Sequence, residues 1–204
     1  RYISMLKNKP DHLKEVVVLI VQVSRALKNT MQSIRTLDET KPRIRNFPSK
    51  LDEPERYIKE EVCATLSKTL ATRDDETVVA RIPLSEALVN LVLGLKPEDT
   101  IALLPGILTS ICQVLRSRSE ELREAVRKNL GHISVILGPT YLTFIIRELK
   151  AALTRGSQIH VLSYTVHHVL MSLSEVLQHG DMDDCAHIIV KITMEDIFGM
   201  AGQE

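Results

Sequence analysis

The sequence predicts an all-α fold of antiparallel helix pairs stacked as an α-solenoid, and three observations carry that expectation. In segment after segment, apolar residues recur three and four apart, the spacing that gathers them on one face of a helix. Aromatics are only 3% of the 204 residues and Trp is absent, so the core must be assembled from aliphatic ridges, which suits helix against helix. Finally, Leu115-Arg-Ser-Arg-Ser119 and Leu153-Thr-Arg-Gly-Ser157 lie ~38 residues apart, each closing one helix and capping the next, a spacing within the range of two-helix repeats.

The first element starts at Pro10 and Asp11. Leu13, Val17, Ile20, Ser24 and Leu27 keep helical spacing, so a buried helix to about Lys28 is expected in preference to a strand over VVVLIVQV. Residues 1–34 are accordingly a helical repeat segment. Between Arg35 and Glu55 three prolines and dense alternating charge leave no core-facing period, and a Pro-rich charged loop or junction that adds nothing to the core is expected.

Residues 56–204 read as a continuous solenoid segment. Tyr57, Ile58, Val62, Leu66 and Leu70 mark its first helix, and Leu84, Ala87, Leu88, Leu91, Val92 and Leu95 the next. Pro97 with Glu98 and Asp99 opens a third along Ile101, Leu104, Leu108, Ile111 and Leu115. Four more are expected near 119–137, 140–153, 157–178 and 182–197, the last capped by Asp181 with Asp183 and Asp184 in its first turn.

The helix from Ser119 carries Gly131 near its middle, at a cost of about 1 kcal/mol against alanine. Leu122, Val126, Asn129, Ile133 and Ile136 make one seam, Leu130 and Leu137 widen it, and Val135 lies on the far side with Gly131. The helix is therefore expected to be enclosed from more than one direction, with a neighbouring backbone close at Gly131. Close approach of a partner chain or RNA is the alternative.

Charge limits the function classes. Lys plus Arg equals Asp plus Glu, 26 each, so nucleic acid is not held along the whole surface and any such contact is local. Cys63, Cys112 and Cys185 are odd in number and without CxxC spacing, which points to a reducing compartment and to small apolar fillers in place of disulfides or zinc ligands. The longest apolar run, Val16 to Val21, falls far short of the ~20 residues of a membrane span, and no membrane partner is expected. The chain opens without Met or a targeting segment and reads as a soluble piece of something longer.

Catalytic constellations are equally sparse. His160, His167, His168, His179 and His187 beside Asp183, Asp184 and Cys185 invite a metal, but His160 and His167 are two turns apart and no HxxxH or HExxH occurs. Ser163, Cys112 and Cys185 lack a nucleophile elbow, and the carboxylate pairs Asp74–Asp75, Glu120–Glu121 and Asp183–Asp184 sit at helix starts, where the helix dipole accounts for them. No enzyme, metal or cofactor is predicted.

The candidate RNA-binding residues are Arg116, Arg118, Arg123, Arg127, Lys128 and Arg155. Arg116, Arg118 and Arg155 fall in inter-helix turns one repeat apart, so stacking would line them along one edge. Glu120 and Glu124 stand three or four residues before Arg123, Arg127 and Lys128, so these helical members are alternatively a self-paired face. Arg35, Lys41, Arg43, Arg45 and Lys50 form a second basic set, a candidate flexible arm.

Leu122-Arg123, Ala125-Val126 and Leu130-Gly131 overlay the second helix of a generic HEAT repeat, which refines the fold to a HEAT-repeat α-solenoid. A longer match runs through REAVRKNLGHISVILGPTYLTFIIRELKAALTRGSQIHVLSYTVHHVL and GDMDDCAHIIVKITMEDIFG. This succession resembles the down-regulated-in-metastasis family, very large HEAT-repeat components of the small-subunit processome, over Arg123 to Gly199. Residues 1–118 carry only the solenoid pattern. The resemblance implies a non-enzymatic scaffold in the nucleolus, acting in pre-rRNA processing and 18S rRNA maturation. It implies pre-ribosomal RNA, small nucleolar RNP and other processome assembly factors as partners within a large ribonucleoprotein. Under it His160, Tyr164, His167 and His168 are packing or contact residues. The solenoid alone also fits a nuclear transport or trafficking adaptor that binds peptides or a small GTPase.

Overall fold

The computed structural model describes residue 6 and residues 12–40, 51–72, 77–154, 156 and 158–198. Among the described residues every regular element is helical, and the all-α helical-repeat class stands. The chain divides into two compact units, Arg1–Ile107 and Leu108–Glu204. The division falls inside a helix.

In the first unit, α1 spans Leu13–Thr40 and is helical where a strand was the alternative. Val16, Val17, Ile20 and Val21 are buried, and the buried Ser24 hydroxyl donates to the Val21 carbonyl, 2.8 Å away. Leu27, expected on the same seam, is exposed. Helix α1 outlasts its predicted end and lies along the later helix Leu84–Gly94, here α5. Arg25 meets Glu86, Gln32 donates to the Leu93 carbonyl and Arg35 to that of Gly94, so contacts advance in the same direction along both helices. The two run parallel. Helix α5 is apolar nearly all round and is buried nearly all round, from Leu84 through Val92.

Between them come α2 (Asp52–Tyr57), a π-helical turn (Ile58–Cys63) and α3 (Ala64–Ala71). The wider π turn shifts the phase of the buried face. Leu51 and Glu55 are buried before it, Ile58 and Cys63 within it and Leu66 after it, while Tyr57, expected on the seam, is turned outward.

The two ends of the Arg35–Glu55 segment are described, and there the chain differs from a loop. Residues 35–40 are helical, Leu51 and Glu55 are each 5% exposed, and Arg35 donates to Glu55 Oε1 at 2.5 Å and to the Gly94 carbonyl at 2.9 Å. The buried Glu55 carboxylate is compensated by direct contact with the half-buried Arg35. Lys41, Arg43, Arg45 and Lys50 lie outside the described residues. The short helix α4 (Val78–Arg81) was not predicted; Arg81 anchors it by donating to the Thr69 carbonyl at the end of α3, 2.8 Å away.

Helix α6 (Pro97–Val114) carries the division between units. Its Leu104, Leu108, Ile111 and the following Leu115 are buried as spaced, but Ile101 is 72% exposed.

The second unit continues with α7 (Glu120–Leu137), a 3₁₀ turn (Pro139–Tyr141), α8 (Leu142–Ala152), α9 (Gln158–Leu173) and α10 (Ala186–Phe198). The Ser119 hydroxyl caps α7 by accepting the Leu122 N–H at 3.2 Å, as the sequence predicts. At its other end Gly138 takes φ 74°, a left-handed conformation that ends the helix just before Pro139. Arg127 lies against Tyr164 and Gly131 against His168, so α7 and α9 run parallel at an offset of ~37 residues. Thr109 of α6 donates to Glu148 of α8 at 2.8 Å, 39 residues on. That is the predicted repeat spacing, expressed as contacts.

Helix α9 stops at Leu173, short of the predicted 178. Asp181 does not cap α10: its Oδ2 accepts the Gln178 N–H at 2.8 Å, closing a turn around Gly180 (φ 96°), and α10 begins only at Ala186. The acidic cluster is one of turn residues.

Candidate nucleic-acid interface and groove

The six candidate RNA-binding residues separate by environment. Arg116 and Arg118 are exposed in the turn between α6 and α7, where the Arg116 guanidinium donates to Gln113 Oε1 at 3.2 Å. Lys128 is exposed on α7. Arg123 folds back on that turn, its Nη1 donating to the carbonyls of Ser117 at 3.0 Å and Arg118 at 2.9 Å. Arg127 is 7% exposed and ion-paired with Glu124, and its guanidinium carbon stands 4.3 Å from the centre of the Tyr164 ring. Arg155 lies outside the described residues.

Three helices of the second unit enclose a groove of about 820 Å³. Helix α7 contributes Glu120, Arg123, Glu124 and Arg127; α9 contributes His160, Ser163, Tyr164 and His167; α10 contributes Ile189, Thr193 and Asp196. Each row keeps helical spacing, so three regular faces converge. Val161, Val166 and Leu170 complete the lining. His160 Nδ1 lies 2.5 Å from Asp196 Oδ1, joining the start of α9 to the end of α10. Sequence reasoning flagged His160, Tyr164 and His167 as contact residues but missed Glu120 and Asp196 as groove walls. The repeat offset that pairs α7 with α9 would have found Glu120 as a neighbour of the α9 row; nothing local marks Asp196.

His168 leaves that row and turns toward α7 at Gly131. Burial chiefly lowers its pKa, with Arg127, His132 and His167 acting the same way and Glu124 opposing. The three cysteines are buried, and burial pushes Cys63 up to about 11, Cys112 up to about 12 and Cys185 upward as well. These thiols are protonated and unreactive at neutral pH. Among the described residues no three His, Cys, Asp or Glu side chains converge as metal ligands, and no single helix is long and apolar enough to cross a membrane.

Fold and site together define a helical-repeat protein, with a polar groove across one unit and an exposed basic turn beside it. Residues 71–204 match the family described as the U3 small nucleolar RNA-associated protein 20 domain. The chain belongs to that family, and the resemblance read from Arg123 to Gly199 stands. It is 59% identical over 204 residues, its whole length, to the U3 small nucleolar RNA-associated protein 20 of Saccharomyces cerevisiae. It is 37% identical, again over its whole length, to the protein of that name from Schizosaccharomyces pombe. The similarity thus reaches back through residues 1–118, where sequence patterns alone showed only helices. The chain spans 8% and 9% of the length of those two relatives. Both are named for association with U3 small nucleolar RNA.

Proposed function

We propose that this chain is a segment of a non-enzymatic scaffold of the small-subunit processome, acting in nucleolar pre-rRNA processing and 18S rRNA maturation. The observation that carries the reading is the 59% identity, sustained over the whole chain, to a protein named for its association with U3 small nucleolar RNA. Parallel stacked helices suit the task, because successive repeats display successive turns to an extended partner. Pre-ribosomal RNA meets the chain at Arg116, Arg118 and Lys128, together with Arg155. Arg123 and Arg127 serve the same face from behind, Arg123 by shaping the turn that presents Arg116 and Arg118. Small nucleolar RNP and other assembly factors are the remaining partners.

Affinity purification of the full-length parent protein from nuclear extract tests this. Enrichment of U3 small nucleolar RNA and pre-rRNA is expected. Recovery of nuclear-transport or vesicle-coat factors without RNA overturns it.

A further inference from the structure

We infer that the groove between α7, α9 and α10 receives an arginine-bearing basic segment of a partner protein and is not itself an RNA site. The proposal goes beyond the RNA contacts assigned to the turn edge and does not depend on them. Its first support is charge. The walls carry three carboxylates, Glu120 and Glu124 on α7 and Asp196 on α10, against two arginines. Both arginines are committed, Arg127 to Glu124 and the Tyr164 ring, Arg123 to two main-chain carbonyls. Glu124 is committed in turn to Arg127 and Asp196 stands 2.5 Å from His160, which leaves Glu120 as the open carboxylate; with carboxylates outnumbering arginines three to two, the lining favours a cationic side chain over a phosphate.

The second support is the ring between those walls. Tyr164 is 57% exposed, and only one of its faces is occupied by the Arg127 guanidinium. A planar guanidinium stacks on the other face while its edge reaches a carboxylate, a pairing of ring and fork that arginine makes better than lysine. An arginine side chain brings both complements, a cation for the walls and a plane for the open face of the ring.

Binding of a fluorescein-labelled peptide of alternating Arg and Gly to the 204-residue chain is read by anisotropy, against the same peptide with Gln for Arg and against a labelled uridine decamer. The arginine peptide is expected to bind, with a loss of about tenfold for the Gln peptide and for the E120Q/D196N double variant. Y164L should weaken binding similarly, and melting curves identify which variants remain folded; E120Q, at an exposed first-turn position, serves if the others do not. The unlabelled decamer should not displace the peptide. Unchanged affinity in folded E120Q/D196N, no binding of the arginine peptide, or displacement by the decamer with the same dependence on Glu120 and Asp196 each overturns the proposal. Loss of RNA from R116Q/R118Q with peptide binding intact separates this site from the proposed RNA edge.

Discussion

The hydroxyl of Ser172 occupies the space that a Cβ at Gly131 would need, 2.6 Å from it. His168 Nε2 closes the same space from 2.9 Å. The sequence anticipated close approach at this glycine but from a neighbouring backbone; the approach is by two side chains one turn apart on α9. Gly131→Leu must displace both, costing about 1–3 kcal/mol in strain, against a helix-propensity gain of under about 1 kcal/mol. A lower denaturant midpoint at unchanged slope is expected; a raised midpoint means the site opens readily to solvent.

Glu55 is held in the first unit by Arg35, whose side chain remains 25% exposed, while its own is 6% exposed. Arg35→Met leaves that carboxylate buried beside an apolar chain. Breaking a buried pair costs about 3–5 kcal/mol, and the partial exposure of Arg35 reduces this to about 2 kcal/mol. Adding Glu55→Gln should return part of the loss, giving a clear coupling term in a double-mutant cycle. Strictly additive effects would show that the two side chains do not depend on one another.

His168 is expected to make the second unit sensitive to acid. Its folded pKa lies below the ordinary value, chiefly through burial, so the unfolded chain takes up the proton first. The sign follows: this contribution is intact above about pH 6.5 and is lost as pH falls toward the lowered folded pKa. Glu124 opposes the shift, and Arg127, His132 and His167 reinforce it. Between about pH 7 and pH 5.5 the melting temperature of the wild type should fall further than that of His168→Gln. Equal falls would assign the acid sensitivity to other groups.

What could be read in the sequence was what local chemistry controls. Ser119 and the apolar spacing after it define α7 to within a residue, because a cap and a period act over a few positions. Where a distant partner decides, the reading failed. Tyr57 follows the apolar spacing yet faces outward, because a π turn at Ile58–Cys63 resets the phase. Glu55 looks like a loop charge until Arg35 is seen beside it. At the groove, contact with Tyr164, one repeat away, holds Arg127 inside the unit. The repeat spacing contained that contact, since residues ~37 apart on parallel helices are neighbours.

The proposed RNA edge has a measurable electrostatic signature. Arg116, Arg118 and Lys128 are exposed, and each phosphate neutralised by a cation releases counterions, so affinity falls with salt in proportion to their number. Replacing any one with Gln should weaken binding to single-stranded RNA about equally for all sequences and lower the salt slope by about one. Arg123→Gln should act differently. Its guanidinium holds the carbonyls of Ser117 and Arg118, so its loss loosens the turn that carries two of the cations. A greater loss of affinity than for Arg116→Gln is expected, with a drop in melting temperature that Arg116→Gln does not show. Filter binding over a salt series, with melting curves on the same variants, checks both. A salt slope left unchanged by the Arg116, Arg118 and Lys128 variants would remove this edge from the RNA contact.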